Sequence, residues 1–308
     1  MTTEQGGEFS FALSGSGVVT VDWGDGSEKD TLTLIEGHND FSHTYNPYVS
    51  SRAITISGDS ITGFYCGSRL SRLTSLDVSK NTALTDLNCG VNQLTSLDVS
   101  KNTALVKLVC DFNELTSLDV SKNIALTELG CSCNQLTSLD VSKNTALTEL
   151  GCGSNQLTSL DVSKNIALTS LSCNKNQLTS LDVSKNTALT KLYCGSVQSR
   201  FLDVSKNIAL TALGCSGSRL TNLDISKNTA LTYLSCENNQ LTSLDISKNT
   251  LLTFLSCANN QLAETALNTL FRTLPYATDR TIYVGGNPGA YSSDLRAAMD
   301  KGWNVNLM

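Results

Sequence analysis

The chain has 308 residues and a net charge of −6, and only 16% of its residues are charged and 6% aromatic. The chain has no dense run of Lys or Arg. Together with the negative net charge, this argues against nucleic acid as a partner. No apolar run approaches the roughly 18 residues that a membrane-spanning helix needs, and the first residues lack the basic and apolar regions of a secretory signal. We therefore expect no membrane span, and any export signal is absent or was removed.

Residues 1–65 contain strand-like runs punctuated by Gly and Asp, namely FSFAL, VVTVDW, DTLTLI, FSHTY and AITISG. This pattern predicts a small antiparallel sheet. Asp22 and Asp25 could bind calcium, but the tight turns that Asp-Gly sequences favour explain both residues without a metal. We predict that this segment caps the N-terminal end of the region that follows it.

The region from Leu76 to Asn249 is built on one hexapeptide, LDVSKN or LDISKN, which occurs nine times at a spacing of 21 residues. Self-similarity at a fixed period is the signature of a solenoid, in which stacked turns bury a continuous core. Nine of the eleven cysteines keep the same period: Cys89, Cys110, Cys131, Cys152, Cys173, Cys194, Cys215, Cys236 and Cys257. The cysteine count is therefore mainly a repeat count.

Each repeat, numbered here from its first Leu, consists of a unit such as LTDLNCGVNQL (from Leu84) followed by TSLDVSKNTA. Apolar and polar residues alternate in both halves, which predicts two short parallel strands per turn, each with one buried face. Asn92 and Asn102 are expected at the two corners, where their amides bond to the backbone of adjoining turns. The expected inward residues of this turn are Leu84, Leu87, Cys89, Leu94, Leu97, Val99 and Ala104.

Residues 263–308 depart from the repeat. Apolar residues recur there at helical spacing until Pro275, which predicts an amphipathic helix containing Ala263, Ala266, Leu267, Leu270, Phe271 and Leu274. A strand in TIYVGG, a short helix in SSDLRAAMDKG and a last strand in WNVNL are expected to follow. We therefore predict three domains: an antiparallel β cap at 1–65, the solenoid at 66–262 and an α/β cap at 263–308.

The first half of the repeat fits L-x-x-L-x-L-x-x-N-x-L with cysteine in the sixth place, and from Leu84 to about Leu262 the chain resembles leucine-rich-repeat proteins. It is similar to the short bacterial form with a cysteine ladder, the internalin-type surface proteins. The resemblance implies a strand-dominated leucine-rich-repeat solenoid of the α/β-type repeat class, with nine to ten turns, in an extracellular or cell-surface setting. In the N-terminal segment, the elements 21–27, 42–45 and 53–58 resemble a truncated polycystic-kidney-disease-type β-sandwich.

The sequence contains no recognisable catalytic or metal-binding motif. The only histidines are His38 and His43, and no Ser or Cys lies in a nucleophile motif, so we expect no enzyme and no cofactor. Cys131 and Cys133 form a C-x-C pair without the further ligands that zinc requires, so we expect no metal. Stacked cysteines lie about 4.8 Å apart, but parallel Cβ vectors disfavour a disulfide. We predict a reduced packing ladder, with Cys133 as the one accessible thiol.

The two halves of the repeat differ in how much they vary. The third, fifth, seventh and eighth positions change from repeat to repeat, whereas the outward Asp, Ser and Lys of LDVSKN do not. Either the LDVSKN side is structurally constrained, with the Lys row offsetting the Asp row, or the variable face has diversified for recognition. Both explanations stay open. The candidate ligand-binding residues on the variable face are Tyr193, Tyr233, Phe254, Glu237, Lys191, Glu128, Glu149 and Lys107.

These observations predict a monomeric, non-enzymatic recognition module that binds a protein partner through the variable face. One alternative is glycan binding, with Tyr193, Tyr233 and Phe254 as stacking platforms. Another is a purely structural spacer. The corner Asn is also replaced by Val197 in one repeat and by Ser218 in the next, which either opens a lateral pocket or reflects a worn repeat.

Overall fold

The computed structural model describes residues 1–3, 7–46, 51–67, 72–276 and 279–307. The chain divides into two compact units. Unit 1 comprises Met1–Leu147 with Ser154–Gln156, and unit 2 comprises Thr148–Gly153 with Leu157–Met308. The domain boundaries after residues 65 and 262 stay predictions.

Unit 1 begins with the predicted antiparallel sheet. Its strands are β1 (Thr2–Thr3), β2 (Gly7–Asp22), β3 (Asp30–Leu34), β4 (Asn39–Tyr45), β5 (Arg52–Ala53), β6 (Thr55–Ser57), β7 (Ser60–Tyr65) and β8 (Leu73–Ser75). Strand β2 pairs antiparallel with β3, β4, β6 and β7, and β1 pairs antiparallel with β5 and β8. The run FSFAL and all of VVTVDW except Trp23 lie in the single strand β2. A register shift at Gly15, where φ is +145°, lets the two halves of this strand pair with different partners.

The repeats form a parallel ladder with one three-residue strand per turn. In unit 1 the ladder contains β7, β9 (Asp86–Asn88), β10 (Lys107–Val109) and β11 (Glu128–Gly130). In unit 2 it contains β12 (Glu149–Gly151), β13 (Ser170–Ser172), β14 (Lys191–Tyr193), β15 (Ala212–Gly214), β16 (Tyr233–Ser235), β17 (Phe254–Ser256), β18 (Arg280–Tyr283) and β19 (Trp303–Asn306). Repeat strands pair in register, so that equivalent positions of successive repeats lie side by side. In β10 and β9, for example, Lys107 lies beside Asp86. The predicted strand-dominated leucine-rich-repeat solenoid is confirmed.

The core of each turn is a stack of Leu, Cys and Val or Ile side chains, as predicted. In the turn that begins at Leu84, all the expected inward Leu residues, Cys89 and Val99 are buried. Ala104 is instead exposed, because it lies in a turn that is closed by the bond from Leu105 N–H to Asn102 O at 3.1 Å. The prediction of an inward Ala104 is therefore wrong.

The predicted second strand of each turn is also wrong for the described repeats. In the LDVSKN half, Ser100 N–H donates to Asp98 Oδ1 at 2.8 Å, and Asn102 N–H donates to Val99 O at 3.0 Å. These local turns use backbone donors that a second strand ladder would need. The half-repeat therefore buries Val99 without forming a strand.

Both corner asparagines bond across turns, as predicted. Asn113 Oδ1 accepts the N–H of Leu94 at 2.9 Å, and Asn113 Nδ2 donates to Cys89 O at 3.0 Å. Asn102 is completely buried, and its Nδ2 donates to a main-chain carbonyl oxygen of the preceding turn, Val78 O, at 2.9 Å. These bonds help to fix the register, because each requires the neighbouring turn at hydrogen-bond distance.

Unit 2 continues past the last repeat with α1 (Glu264–Thr273) and α2 (Arg296–Met299). Helix α1 is the predicted amphipathic helix, and its buried residues are Leu267, Leu270 and Phe271. The ladder then resumes, because β18 pairs parallel with β17, placing Thr281 beside Phe254, and β19 pairs parallel with β18. Within the described residues, neither helix is long and apolar enough to cross a membrane.

Candidate recognition face

Within each unit, we define the strand face as the outward side chains at the third, fifth and seventh positions of the repeats, on and beside β9 to β11 in unit 1 and β12 to β17 in unit 2. The third and fifth residues flank the buried Leu of each strand, so they point away from the core. They are exposed or half-exposed except for Ala212 and Ser256, which are buried. All eight candidate binding residues lie on this face.

In unit 1, the strand face is charged. Lys107 Nζ and Glu128 Oε2 form an ion pair at 2.8 Å between neighbouring strands. Asp111, at a seventh position, accepts the N–H of Ser132 in the next turn and lies against Gly130, where a Cβ would lie 2.7 Å from its Oδ2. Burial raises the pKa of the Asp111 carboxyl. Asp111 is not one of the eight candidate residues, although its seventh position is one of the variable ones.

In unit 2, the candidates divide into charged and aromatic residues. Glu149 and Lys191 are exposed on β12 and β14, separated by β13 with its small Ser170. The rings of Tyr233 and Phe254 stack in parallel, with centroids 4.6 Å apart and planes within 6°. The structure thus brings two of the three predicted aromatic residues into direct contact.

Two further contacts extend this aromatic pair. The ring of Tyr283 lies 5.7 Å from that of Phe254, at 44°. Sequence reasoning missed Tyr283 because β18 follows a helix and lies outside the period of 21 residues, so its register could not be read from the repeat. Glu237 Oε2 accepts the hydroxyl of Ser256 at 2.7 Å, which holds this candidate carboxylate beside β17.

Tyr193 and Tyr233 line one open groove of about 250 Å³ on the strand face. The other lining residues are Ser172, Asn174, Gly195, Gly214, Ser216 and Ser235. The Tyr193 ring lies over the next strand, at Gly214. A Cβ at Gly214 would lie only 2.8 Å from Tyr193 Cδ1. The missing side chain at Gly214 therefore makes room for the position of the Tyr193 ring.

On the LDVSKN side, the constant Asp residues have a structural role. The backbone N–H of Ser100, followed by its hydroxyl, lowers the pKa of Asp98, and Lys101 makes a smaller contribution. The same turn recurs at Asp119, Asp140, Asp161, Asp182, Asp203, Asp224 and Asp245, each of which accepts the N–H of the Ser two residues later. This side is therefore structurally constrained, mainly by local turns rather than by a row of Lys charges.

The eighth position of every repeat has a left-handed backbone. Val91, Phe112 and Cys133 occupy it in unit 1 with φ near +56°. This conformation is unusual for residues other than Gly and Asn, and it is most strained for a β-branched residue such as Val91. The position varies in sequence, but its backbone does not.

The nine cysteines of the ladder are buried, as predicted, and all eleven cysteines carry free thiols. Burial raises the pKa of the Cys89 and Cys215 thiols to about 12. Cys133 is the one cysteine that is not buried. Ladder thiols are therefore packing residues that are shielded from reagents.

Asp22 and Asp25, the two residues considered for calcium, take part in turns and side-chain contacts. Lys29 lies 3.1 Å from Asp22 and, together with the N–H of Gly24, lowers the pKa of that carboxyl. Asp25 accepts the N–H of Ser27, and His43 Nε2 lies 2.8 Å from its Oδ2. Among the described residues, no group of three or more His, Cys, Asp or Glu side chains is arranged to hold a metal.

The irregular repeats lose part of one asparagine ladder. In a regular turn, Asn176 Nδ2 donates to Cys152 O and to Cys173 O, both at 3.0 Å. Val197 and Ser218 occupy the equivalent places and are buried. Val197 has no amide to make these bonds.

No protein-family model matches this chain, and no curated protein matches it either. Among solved structures, the chain is similar to the functional domain of InlJ from Listeria monocytogenes, which includes a cysteine ladder, with 39% identity over 80% of this chain and a TM-score of 0.71. The chain spans about half of that structure's length, 53%. A leucine-rich-repeat protein of Leptospira interrogans has 20% identity, covering 77% of this chain and 70% of its own, with a TM-score of 0.62. An internalin (InlF) of Listeria monocytogenes has 17% identity, covering 80% of this chain and 86% of its own, with a TM-score of 0.56, and both show the same fold.

Proposed function

We propose that this chain is a non-enzymatic recognition module, because it is a leucine-rich-repeat protein of the internalin type with a cysteine ladder. Its ligand is a protein partner, and the binding surface is the strand face. The proposed setting is extracellular or at a cell surface, as the internalin type implies. The proposed functional form is a monomer.

The contrast between the two sides of the repeat carries this proposal. On the LDVSKN side, the Asp carboxylate closes a turn, the Val is buried, and the last Asn bonds to the preceding turn. On the strand face, the third position holds Asp, Lys, Glu, Ser, Ala, Tyr or Phe on the same backbone. Framework constraints explain why the first side is constant but do not require the variety of the second. A surface that varies on a regular strand ladder is suited to recognition.

Charged and aromatic side chains make the strand face suitable for a protein ligand. Exposed aromatic residues bordered by polar ones are typical anchors of protein interfaces. Tyr233 and Phe254 supply such an anchor, with Glu237 nearby. Lys107, Glu128, Glu149 and Lys191 supply charges that would select a complementary partner.

The test is capture of extracellular proteins on the immobilised chain, followed by affinity measurements with each captured protein. We expect Tyr233→Ala, Phe254→Ala, Glu149→Ala and Lys191→Ala to weaken binding, with the largest loss, about tenfold or more, at the aromatic pair. The matched controls are Lys143→Ala, Lys185→Ala and Lys227→Ala on the LDVSKN side. The proposal is contradicted if the control variants weaken binding and the strand-face variants do not. Failure to capture any protein favours the structural spacer.

A further inference from the structure

The groove beside Tyr193 lies where one turn of the strand face is reduced to small residues. The turn of β15 contributes only Ala212 and Gly214 to the third and fifth positions. Ala212 pairs with Tyr233 on β16, and Gly214 pairs with Tyr193 on β14. Its seventh position is Ser216, another small residue. Two aromatic side chains two turns apart therefore have an open space between them.

The ring of Tyr233 presents one free face to this space. Its other face is covered by Phe254, and the 4.6 Å between the two centroids is close to the spacing of about 4.8 Å between neighbouring strands. The stacking direction therefore runs along the ladder, and the uncovered face of Tyr233 is directed toward β15. Tyr193 reaches the same space from the other side, with its ring over Gly214, and is 37% exposed.

The rest of the lining is neutral and rich in hydrogen-bonding groups. Ser216 Oγ and Ser235 Oγ lie 2.9 Å apart, and the hydroxyl of Ser172 donates to Asn174 Oδ1 at 2.9 Å. Each hydroxyl oxygen retains acceptor capacity, and the Asn174 amide has two donor hydrogens. None of the eight lining residues is charged. Because these polar groups are held by one another, they are ordered before a ligand arrives.

We propose that this groove is a binding subsite for a neutral sugar ring of a glycan. Its volume of about 250 Å³ is below that of typical drug-sized sites and fits a single ring. The C–H face of a pyranose ring packs against the aromatic rings of Tyr193 and Tyr233, and its hydroxyls bond to Ser172, Asn174, Ser216 and Ser235. A charged ligand is disfavoured, since the lining offers no opposite charge to compensate its desolvation. Phe254 does not contact the sugar and acts by holding the ring of Tyr233.

The proposal is tested by calorimetric titration of the purified chain with three neutral hexasaccharides, cellohexaose, mannohexaose and chitohexaose, each to about 10 mM. We expect at least one to bind, and Tyr193→Ala and Tyr233→Ala each to weaken its binding by about tenfold or more. Gly214→Val should abolish binding although both tyrosines stay in the sequence, because its Cβ would lie 2.8 Å from Tyr193 Cδ1 and would displace that ring from the groove. Val is found at the fifth position of another repeat, at Val109, so the backbone accommodates it.

Tyr291→Ala is the matched control, because Tyr291 is an 82% exposed tyrosine of the same unit outside the groove. Saturation-transfer NMR on the unaltered chain provides a second readout that does not depend on any variant folding. Absence of binding by all three sugars overturns the proposal, and so does binding that the groove variants leave unchanged. Either result leaves the proposed protein partner untouched, since protein capture is measured separately.

Discussion

The side-chain amide of Asn102 donates to the main-chain carbonyl oxygen of Asn81, one full repeat earlier, at 2.8 Å. The same nitrogen also donates to Val78 O, and the residue is completely buried. The bond recurs in later turns, for example from Asn123 to Asn102 and from Asn207 to Asn186. It explains why the last residue of LDVSKN does not vary, because loss of buried hydrogen bonds to two carbonyl oxygens is costly.

Removal of one of these buried asparagine side chains should destabilise the fold. Asn123→Ala leaves Val99 O and Asn102 O without their side-chain donor, and we expect a loss of about 2 to 4 kcal/mol in the free energy of unfolding. Urea-induced unfolding followed by circular dichroism measures this loss. The control Thr145→Ala changes an exposed residue next to the equivalent Asn144 and should cost less than about 0.5 kcal/mol. Equal effects of the two changes would contradict the structural role of the ladder.

Restoration of a missing asparagine side chain should have the opposite effect. Val197→Asn places an amide where Asn176 donates to Cys152 O and Cys173 O one repeat earlier, so the new amide can donate to Cys173 O and Cys194 O. We expect a gain of about 1 to 2 kcal/mol in unfolding free energy. Thermal unfolding of Val197→Asn beside Val197→Ala separates new hydrogen bonds from the loss of the valine. A melting temperature at or below that of the unaltered chain would show that the turn cannot accept the amide.

The left-handed eighth position supports a prediction in two directions. Val91 has φ near +56°, which strains a β-branched residue, whereas Asn238 has the same φ with a residue that tolerates it. Val91→Asn should raise the free energy of unfolding by about 1 kcal/mol, and Asn238→Val should lower it by a similar amount. Chemical denaturation of both variants gives the comparison. Changes of the same sign would exclude backbone strain as the cause.

The pH dependence of stability should distinguish Asp111 from Asp98. Burial raises the pKa of the Asp111 carboxyl in the folded state above its pKa in the unfolded state. The stability that this carboxyl contributes is therefore fully present below its unfolded-state pKa and is lost as pH rises through its folded-state pKa. Asp111→Asn, which keeps an acceptor for Ser132 N–H, should therefore be more stable than the unaltered chain near pH 7, and this advantage should vanish below about pH 4.

The Ser100 N–H lowers the pKa of Asp98, so that residue contributes stability that is present above the unfolded pKa and lost as pH falls through the folded one. Asp98→Asn should thus be less stable near neutral pH, with a difference that also shrinks in acid. Urea unfolding of the three proteins at a series of pH values tests both signs. A loss of stability in Asp111→Asn at neutral pH is the result that the raised pKa does not allow.

Thiol reactivity should be confined to Cys133. It is the one cysteine that is not buried, and burial raises the pKa of ladder thiols and so suppresses the reactive thiolate. A thiol reagent should modify one cysteine in the native protein and all eleven in denaturant. Cys133→Ser should reduce the native value to zero. Rapid modification of a ladder cysteine, identified by peptide mass spectrometry, would contradict the packing role.

Much of the candidate site could be predicted from the repeat alone. A period of 21 residues places the third and fifth positions on one face, so Tyr233 and Phe254 had to be neighbours once the strands were in register. Tyr283 could not be placed in this way, since a helix separates β18 from β17. The groove at Gly214 was equally hidden, because it depends on where the Tyr193 ring leans.

The amino-acid sequence is sufficient to predict the solenoid, its buried Leu, Val and Cys rows, the corner asparagines, the antiparallel N-terminal sheet and helix α1. These features follow from local periodicity, which reports which side chains must leave water. The tertiary structure decided that the LDVSKN half folds as turns, that Ala104 is exposed, and that β18 and β19 extend the ladder. It also decided which aromatic rings meet. Those outcomes depend on competition for backbone hydrogen bonds and on contacts between distant residues, which a pattern of apolar and polar residues does not encode.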